Sequence, residues 1–164
     1  MELKIDSFEL TTSRGNFGCI FRAARRLELS RGGGYFCVAD PNNGHLILLL
    51  RCGFVPEEKM TKYSGFAQEK ALRLAQHPDH LTSHASRNFN ARMYGGAIRT
   101  PRYIFSFSGF SEEMDEAVVL EYAYRFGFLA EKEAKGIALS SGNETWEKLR
   151  EEMNCDLERP TEPK

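Results

Sequence analysis

Residues 94–116 read YGGAIRTPRYIFSFSGFSEEMDE: a glycine turn, a strand, a second glycine turn and the start of a helix. Within 103–108 the side chains alternate. Tyr103, Phe105 and Phe107 fall on one side and Ile104, Ser106 and Ser108 on the other, the period of a strand with one strongly apolar face. Gly109 then permits a sharp turn. Ser111 has the short polar side chain of a helix N-cap. Glu112, Glu113, Asp115 and Glu116 follow it, placing carboxylates where the helix dipole favours negative charge. A helix is therefore expected from Glu112, with Met114, Ala117, Leu120, Tyr124 and Phe128 at core-facing spacing and Gly136 as its outer limit.

The chain before this stretch supplies further elements. Phe17, Ile20, Phe21, Ala24 and Leu27 recur at helical spacing, with Arg22, Arg25 and Arg26 toward the other side, which predicts an amphipathic helix over about 12–29. Gly32, Gly33 and Gly34 follow a helix and precede a strand, the reverse of a phosphate-binding loop, and read as a flexible connection. Two apolar runs, 35–39 and 46–50, flank the turn sequence DPNNGH and predict a hairpin. Both runs are nearly continuous in apolar residues, so both strands are expected in mid-sheet. From Pro56 onward, Met60, Tyr63, Ala67, Ala71 and Leu74 form one helical stripe. Ser64 and Gly65 are expected to break it, leaving a main helix over 66–76.

A polar cluster follows, with His77, His80 and His84. The last two stand four apart, a spacing that serves metal ligation on a helix, but Pro78 and the missing glutamate favour a solvated loop without metal. At the far end Trp146, Leu149 and Met153 give a short helical pattern among many charges, read as a partly helical extension over 137–164 with a disordered tip.

Composition bounds the function. At 164 residues and 41% hydrophobic content the chain suits one domain with a sizeable core. A formal charge of -1 supplies no field for nucleic acid or an anionic membrane. No apolar run reaches membrane-spanning length and no signal-like order opens the sequence, so a cytoplasmic protein is expected. Cys19, Cys37, Cys52 and Cys155 are scattered, which argues against disulfides or a zinc site. Phe105, Phe107, Phe110, Tyr122, Tyr124, Phe126 and Phe128 crowd one region, and a homo-oligomer is expected to cover part of that surface.

The element order predicts an α/β fold, an antiparallel sheet flanked by helices in a single domain. The segments CVADPNNGHL, AQEKALRLA, YGGAIR and SGFSEEMDEAVV resemble the GlcG-like, or haem-degrading-domain, family. Val38, Asp40, Gly44, His45, Leu46, Lys70, Ala71, Gly95, Gly96, Ile98, Ser108, Gly109, Asp115, Glu116 and Ala117 carry the likeness, over roughly residues 33–124. The resemblance implies a profilin-like α/β/α domain over 1–136, usually oligomeric, associated with haem or corrinoid binding and with glycolate or diol pathways. It differs at 100–107, where the family usually has a glycine-rich hairpin.

The ligand-binding residues expected on this basis are His45, Lys70, Gly95, Gly96, Ser108, Gly109, Asp115 and Glu116, with haem the cofactor named first and His45 its iron ligand. Each has a structural alternative: hairpin and cap hydrogen bonds, a snorkelling lysine, or glycine backbone geometry. No residue set forms a catalytic machine, so small-molecule binding is favoured. The alternatives are an enzyme acting on a small hydroxy acid or aldehyde, with Lys70, Asp115 or Glu116 as acid or base, and a structural oligomer without ligand.

Overall fold

The computed structural model describes residues 7–158, and the side chains of 17–155; the expected disordered tip lies outside the described residues. The elements are α1 (Ser7–Leu27), β1 (Gly33–Ala39), β2 (Leu46–Gly53), α2 (Glu57–Ala75), β3 (Ala97–Arg99), β4 (Ile104–Ser108), α3 (Glu112–Arg125), α4 (Glu131–Ser141) and α5 (Thr145–Glu158), with two single turns of 3-10 helix at Ser83–Ser86 and Phe89–Ala91. The four strands form one antiparallel sheet in the order β2-β1-β4-β3. It is a single α/β domain with helices on both faces of the sheet, as expected. Among the described residues no helix is long and apolar enough to cross a membrane.

The alternation in β4 is the reason the sheet has two unlike faces. Tyr103, Phe105 and Phe107 join Phe17, Phe21 and Phe36 in a core closed by α1, α3 and α5. Ile104 points the other way, into a smaller cluster of Cys37, Ala39, Ala67, Ala71, Leu74 and Ala97 under α2. Helix α3 is buried almost all round, from Met114 to Ala123, because the sheet covers one side and its neighbouring helices the others. Ser111 caps it, accepting from the Met114 N–H at 3.3 Å.

Several expectations are corrected. Strand β2 is an edge strand, with Leu46 exposed and 47–50 half-buried, rather than mid-sheet. Ile47, Leu48 and Leu50 pack against the larger core and Leu49 against the smaller one, while among the described residues no strand pairs with the outer side of β2. The glycines at 33–34 are not a flexible link. A β-carbon on Gly34 would stand 2.2 Å from the Ser108 carbonyl oxygen, so β1 and β4 approach there as only glycine permits. Helix α2 runs unbroken through Ser64 and Gly65: Gly65 faces open space, and the packing of Ala67, Ala71 and Leu74 outweighs its propensity cost of about 1 kcal/mol.

Helix α3 stops at Arg125, where the chain turns through Gly127 at φ 74°. Gly136 instead lies inside α4, so that helix runs across the expected boundary between 136 and 137. Trp146, Leu149 and Met153 of α5 are buried in the main core. The crowded aromatics are likewise used internally. Phe105, Phe107, Phe110 and Tyr122 are buried and Tyr124, Phe126 and Phe128 pack against them, which removes that argument for self-association.

Candidate functional site

Helix α2 carries Lys62 and Tyr63, Phe66 and Lys70 along one flank, spaced by about one turn. Opposite them lie the β4–α3 turn and a small hairpin at 87–94, closed by paired backbone bonds between Asn88 and Met93 at 2.9 Å. Between these walls is an open groove of about 600 Å³, within the range of small-molecule sites.

The inner end is built on a buried ion pair. Lys70 is 2% exposed, and its Nζ donates to the Phe107 carbonyl and to Asp115 Oδ2, both at 2.8 Å. The other Asp115 oxygen accepts the Phe110 N–H at 2.9 Å. One charge pair thus ties α2, the end of β4 and the start of α3 together. Burial pushes the Asp115 carboxyl up to about 6 despite the lowering effect of Lys70. Gly96 makes the space for the pair: at φ 113° its β-carbon would lie 2.8 Å from Lys70 Nζ and from Asp115 Cβ.

Toward the mouth the wall is aromatic. Phe66 meets Tyr94 edge-on at 5.4 Å, and Phe89, 60% exposed, lies 6.0 Å from Tyr94. Three cations ring it. Arg87 stacks over Phe89 at 5.2 Å but is bonded to Glu112 at 2.7 Å. Arg31 donates to the Tyr63 hydroxyl at 3.3 Å, and Lys62 sits 5.8 Å from the centre of the Phe66 ring. Among the described residues neither Arg31 nor Lys62 meets a carboxylate.

Of the eight expected site residues, Lys70, Ser108, Gly109 and Asp115 line this groove. Gly95 and Gly96 lie just behind them: the Gly95 N–H donates to Glu112 at 2.8 Å, and Gly96 backs the ion pair. Glu116 faces elsewhere. It is 2% exposed and accepts from Thr82, Ser141 and Asn143, fastening the loop before β3 to the end of α4. His45 is exposed in the β1–β2 turn, its backbone N–H bonded to Asn43 Oδ1 at 2.8 Å. That turn packs Gly44 against Leu72 and Ala75, at the opposite end of α2 from Lys62.

Among the described residues the groove lining includes no histidine, so a haem iron ligated by His45 would lie outside the groove. The histidine loop is partly built in. His77 Nδ1 lies 2.7 Å from the Arg73 carbonyl, its ring stacks on His80 at 4.9 Å, and Thr82 and Ser83 are buried. Among the described residues no three His, Cys, Asp or Glu side chains are grouped to hold a metal ion.

The basic and aromatic part of the groove was not anticipated, because Arg31, Lys62, Phe66, Arg87, Phe89 and Tyr94 come from three segments that only the folded chain brings together. Arg73 was also missed. It is the anchor of the hairpin, donating to the Ser83 carbonyl at 2.9 Å and to the Tyr94 carbonyl. The cysteines are all free: Cys37 and Cys52 are buried, Cys19 and Cys155 exposed, and burial pushes the Cys37 thiol up to about 11.

Fold and groove define a single α/β domain with a ligand-sized cleft at one end of its sheet. Beyond that class, no family model, curated protein or solved structure matches the chain.

Proposed function

We propose that this domain binds a small organic anion with a flat apolar body, held in the groove between α2, the hairpin at 87–94 and the start of α3. The observation that carries this is the pair Arg31 and Lys62, two cations that among the described residues have no carboxylate partner, at the mouth of an aromatic-walled cleft. Cations over aromatic faces attract an anion while the rings accept its flat part. Binding is favoured over catalysis because the strongest candidates are already engaged. The Lys70 Nζ is taken up by Asp115 and the Phe107 carbonyl, and among the described residues no basic side chain bonds the Ser108 hydroxyl. The resemblance to the GlcG-like family also points to small-molecule binding, and a tetrapyrrole presenting its carboxylates to Arg31 and Lys62 belongs to the same class.

The test uses anilinonaphthalenesulfonate, a fluorescent aromatic anion, beside the neutral phenylnaphthylamine. The expected result is saturable binding of the anion that weakens about tenfold or more in the double variant Arg31→Ala with Lys62→Ala, consistent with loss of two charged contacts. The neutral dye should not respond to that change. Anion binding that is absent, or indifferent to the double variant, overturns the proposal. Haemin is the second probe: a Soret change lost with the double variant keeps tetrapyrroles in the class, and one lost only with His45→Ala excludes them from this groove.

A further inference from the structure

Two serines on the same face of β4 differ in one respect. Ser106 is fully buried and donates to the Ala67 carbonyl at 2.5 Å. Ser108, two residues on, is 4% exposed and lines the groove. Among the described residues its hydroxyl has no hydrogen-bond partner, and its oxygen is not among the buried unpaired polar atoms, of which His80 Nδ1 is the one. An unpaired hydroxyl on the lining of a groove is a hydrogen-bonding group that a ligand can engage without first displacing a partner from the protein. Its neighbour on the groove lining, Lys70, also has something to spare: an ammonium carries three N–H donors, and among the described residues two acceptors meet it, the Phe107 carbonyl and Asp115.

Resting on the anion-binding reading above, we infer that the groove selects ligands bearing a neutral carbonyl oxygen at the inner end, read by the Ser108 hydroxyl. The inner end presents donors, so the matching ligand atom is an acceptor. It is neutral because the Lys70 charge is already balanced by Asp115, leaving no surplus for a second carboxylate. Lys62 and Lys70 stand eight residues apart on α2, about 12 Å along the helix axis. That distance suits an aromatic ring with a carboxylate at one end, toward Lys62, and an acyl group at the other. The ligand class is therefore an aryl keto acid with para geometry.

Two probes of matched shape test it: para-acetylbenzoate, which has the acceptor, and para-isopropylbenzoate, which replaces the carbonyl oxygen with a methyl group. Each competes against bound anilinonaphthalenesulfonate. The acetyl compound should compete about tenfold more strongly, the value of one hydrogen bond made in a buried site. Ser108→Ala should abolish that preference while leaving the isopropyl compound unchanged. Equal competition in the unaltered protein, failure of both compounds to displace the dye, or a preference that survives Ser108→Ala overturns the inference and leaves anion binding standing. Failure of the dye itself overturns the broader proposal and this one with it. Thermal melts add a readout that needs no ligand. Ser108→Ala should melt at or above the unaltered protein and Ser106→Ala below it. A drop in Ser108→Ala equal to that of Ser106→Ala would reveal a structural partner for the hydroxyl and overturn the assignment.

Discussion

The two faces of the sheet are built from different materials. Toward α1, α3 and α5 the contacts are between rings: Phe17 on Phe36 at 4.5 Å, Phe36 on Tyr122 at 5.0 Å, Phe105 on Tyr122 at 5.1 Å. Toward α2 they are small, mostly alanines with Leu74 and Ile104, and polar groups are set among them: Lys70, Arg73, Ser106 and Ser108 are all buried there. The thick face removes much apolar surface from water, and its buried carboxylate Glu121 lies at the helix side of the core, met by Trp146 Nε1 at 2.9 Å. The thin face lets helix and strand approach closely, and Lys70, Arg73 and Ser106 are each bonded to carbonyls within it, while the Ser108 hydroxyl is left open at the groove. Polar residues that are stable there are therefore fixed in position, and a groove with an ordered floor is the result.

The comparison is broken most sharply by two substitutions of similar expected size. Phe105→Ala on the thick face should cost about 3–5 kcal/mol, equally at all pH values, and leave dye binding intact. Lys70→Met on the thin face leaves a carboxylate buried alone and should also cost about 3–5 kcal/mol near neutral pH. Its deficit should vary with pH. Removing Lys70 takes away the main influence lowering Asp115, whose carboxyl burial already pushes up to about 6. A folded pKa above the unfolded value of about 4 means that the native state binds the proton more tightly, so the stabilisation from protonation is full below about pH 4 and is lost as pH rises through the folded pKa. Denaturant melts at about pH 5 and about pH 8 should separate the two variants. A pH-independent Lys70→Met would show that the pair does not govern the thin face.

A step smaller is Gly96→Ala. With φ at 113° and no room for a β-carbon beside Lys70 and Asp115, it should cost about 1–3 kcal/mol and weaken dye binding by displacing the pair, checked by melts and titration together. Smaller again is Ser106→Ala, about 1 kcal/mol for one buried hydrogen bond. Ser108→Ala, close to zero, is the finest test of which groups on this face are engaged.

The thick face was largely legible in the sequence, because alternation in 103–108, the helical spacing of Phe17 to Leu27 and the Ser111 cap are local signals of burial. The thin face was legible only in part. Lys70, Ser108, Gly109 and Asp115 were singled out and do meet, yet nothing in their spacing says that Lys70 and Asp115 pair across forty-odd residues. Glu116 was grouped with Asp115, but one step round a helix turns a side chain by about 100°, and here that step leads to Thr82 and Asn143 instead of the groove. Mid-sheet and edge strands share the same apolar composition, so the place of β2 depended on which strands β1 chose as neighbours. The aromatic wall depends in turn on a hairpin, 87–94, whose Phe89, Ala91 and Met93 alternate as in a strand although Phe89–Ala91 is a turn of 3-10 helix.

The register of β1 against β4 sets Tyr35 opposite Ser108, and the glycine contact beside it closes a chain segment of more than seventy residues. In kinetic terms this is a long loop to close, and the entropy of closure must be met before the contact rewards it. The hairpin β1–β2 and the helices can form early from neighbouring residues, whereas the floor of the groove exists only after the two distant strands have joined. A ligand therefore finds its site only on chains that have completed this step, so binding in the groove reports the finished fold, and partly ordered chains with native helix content should remain blind to it.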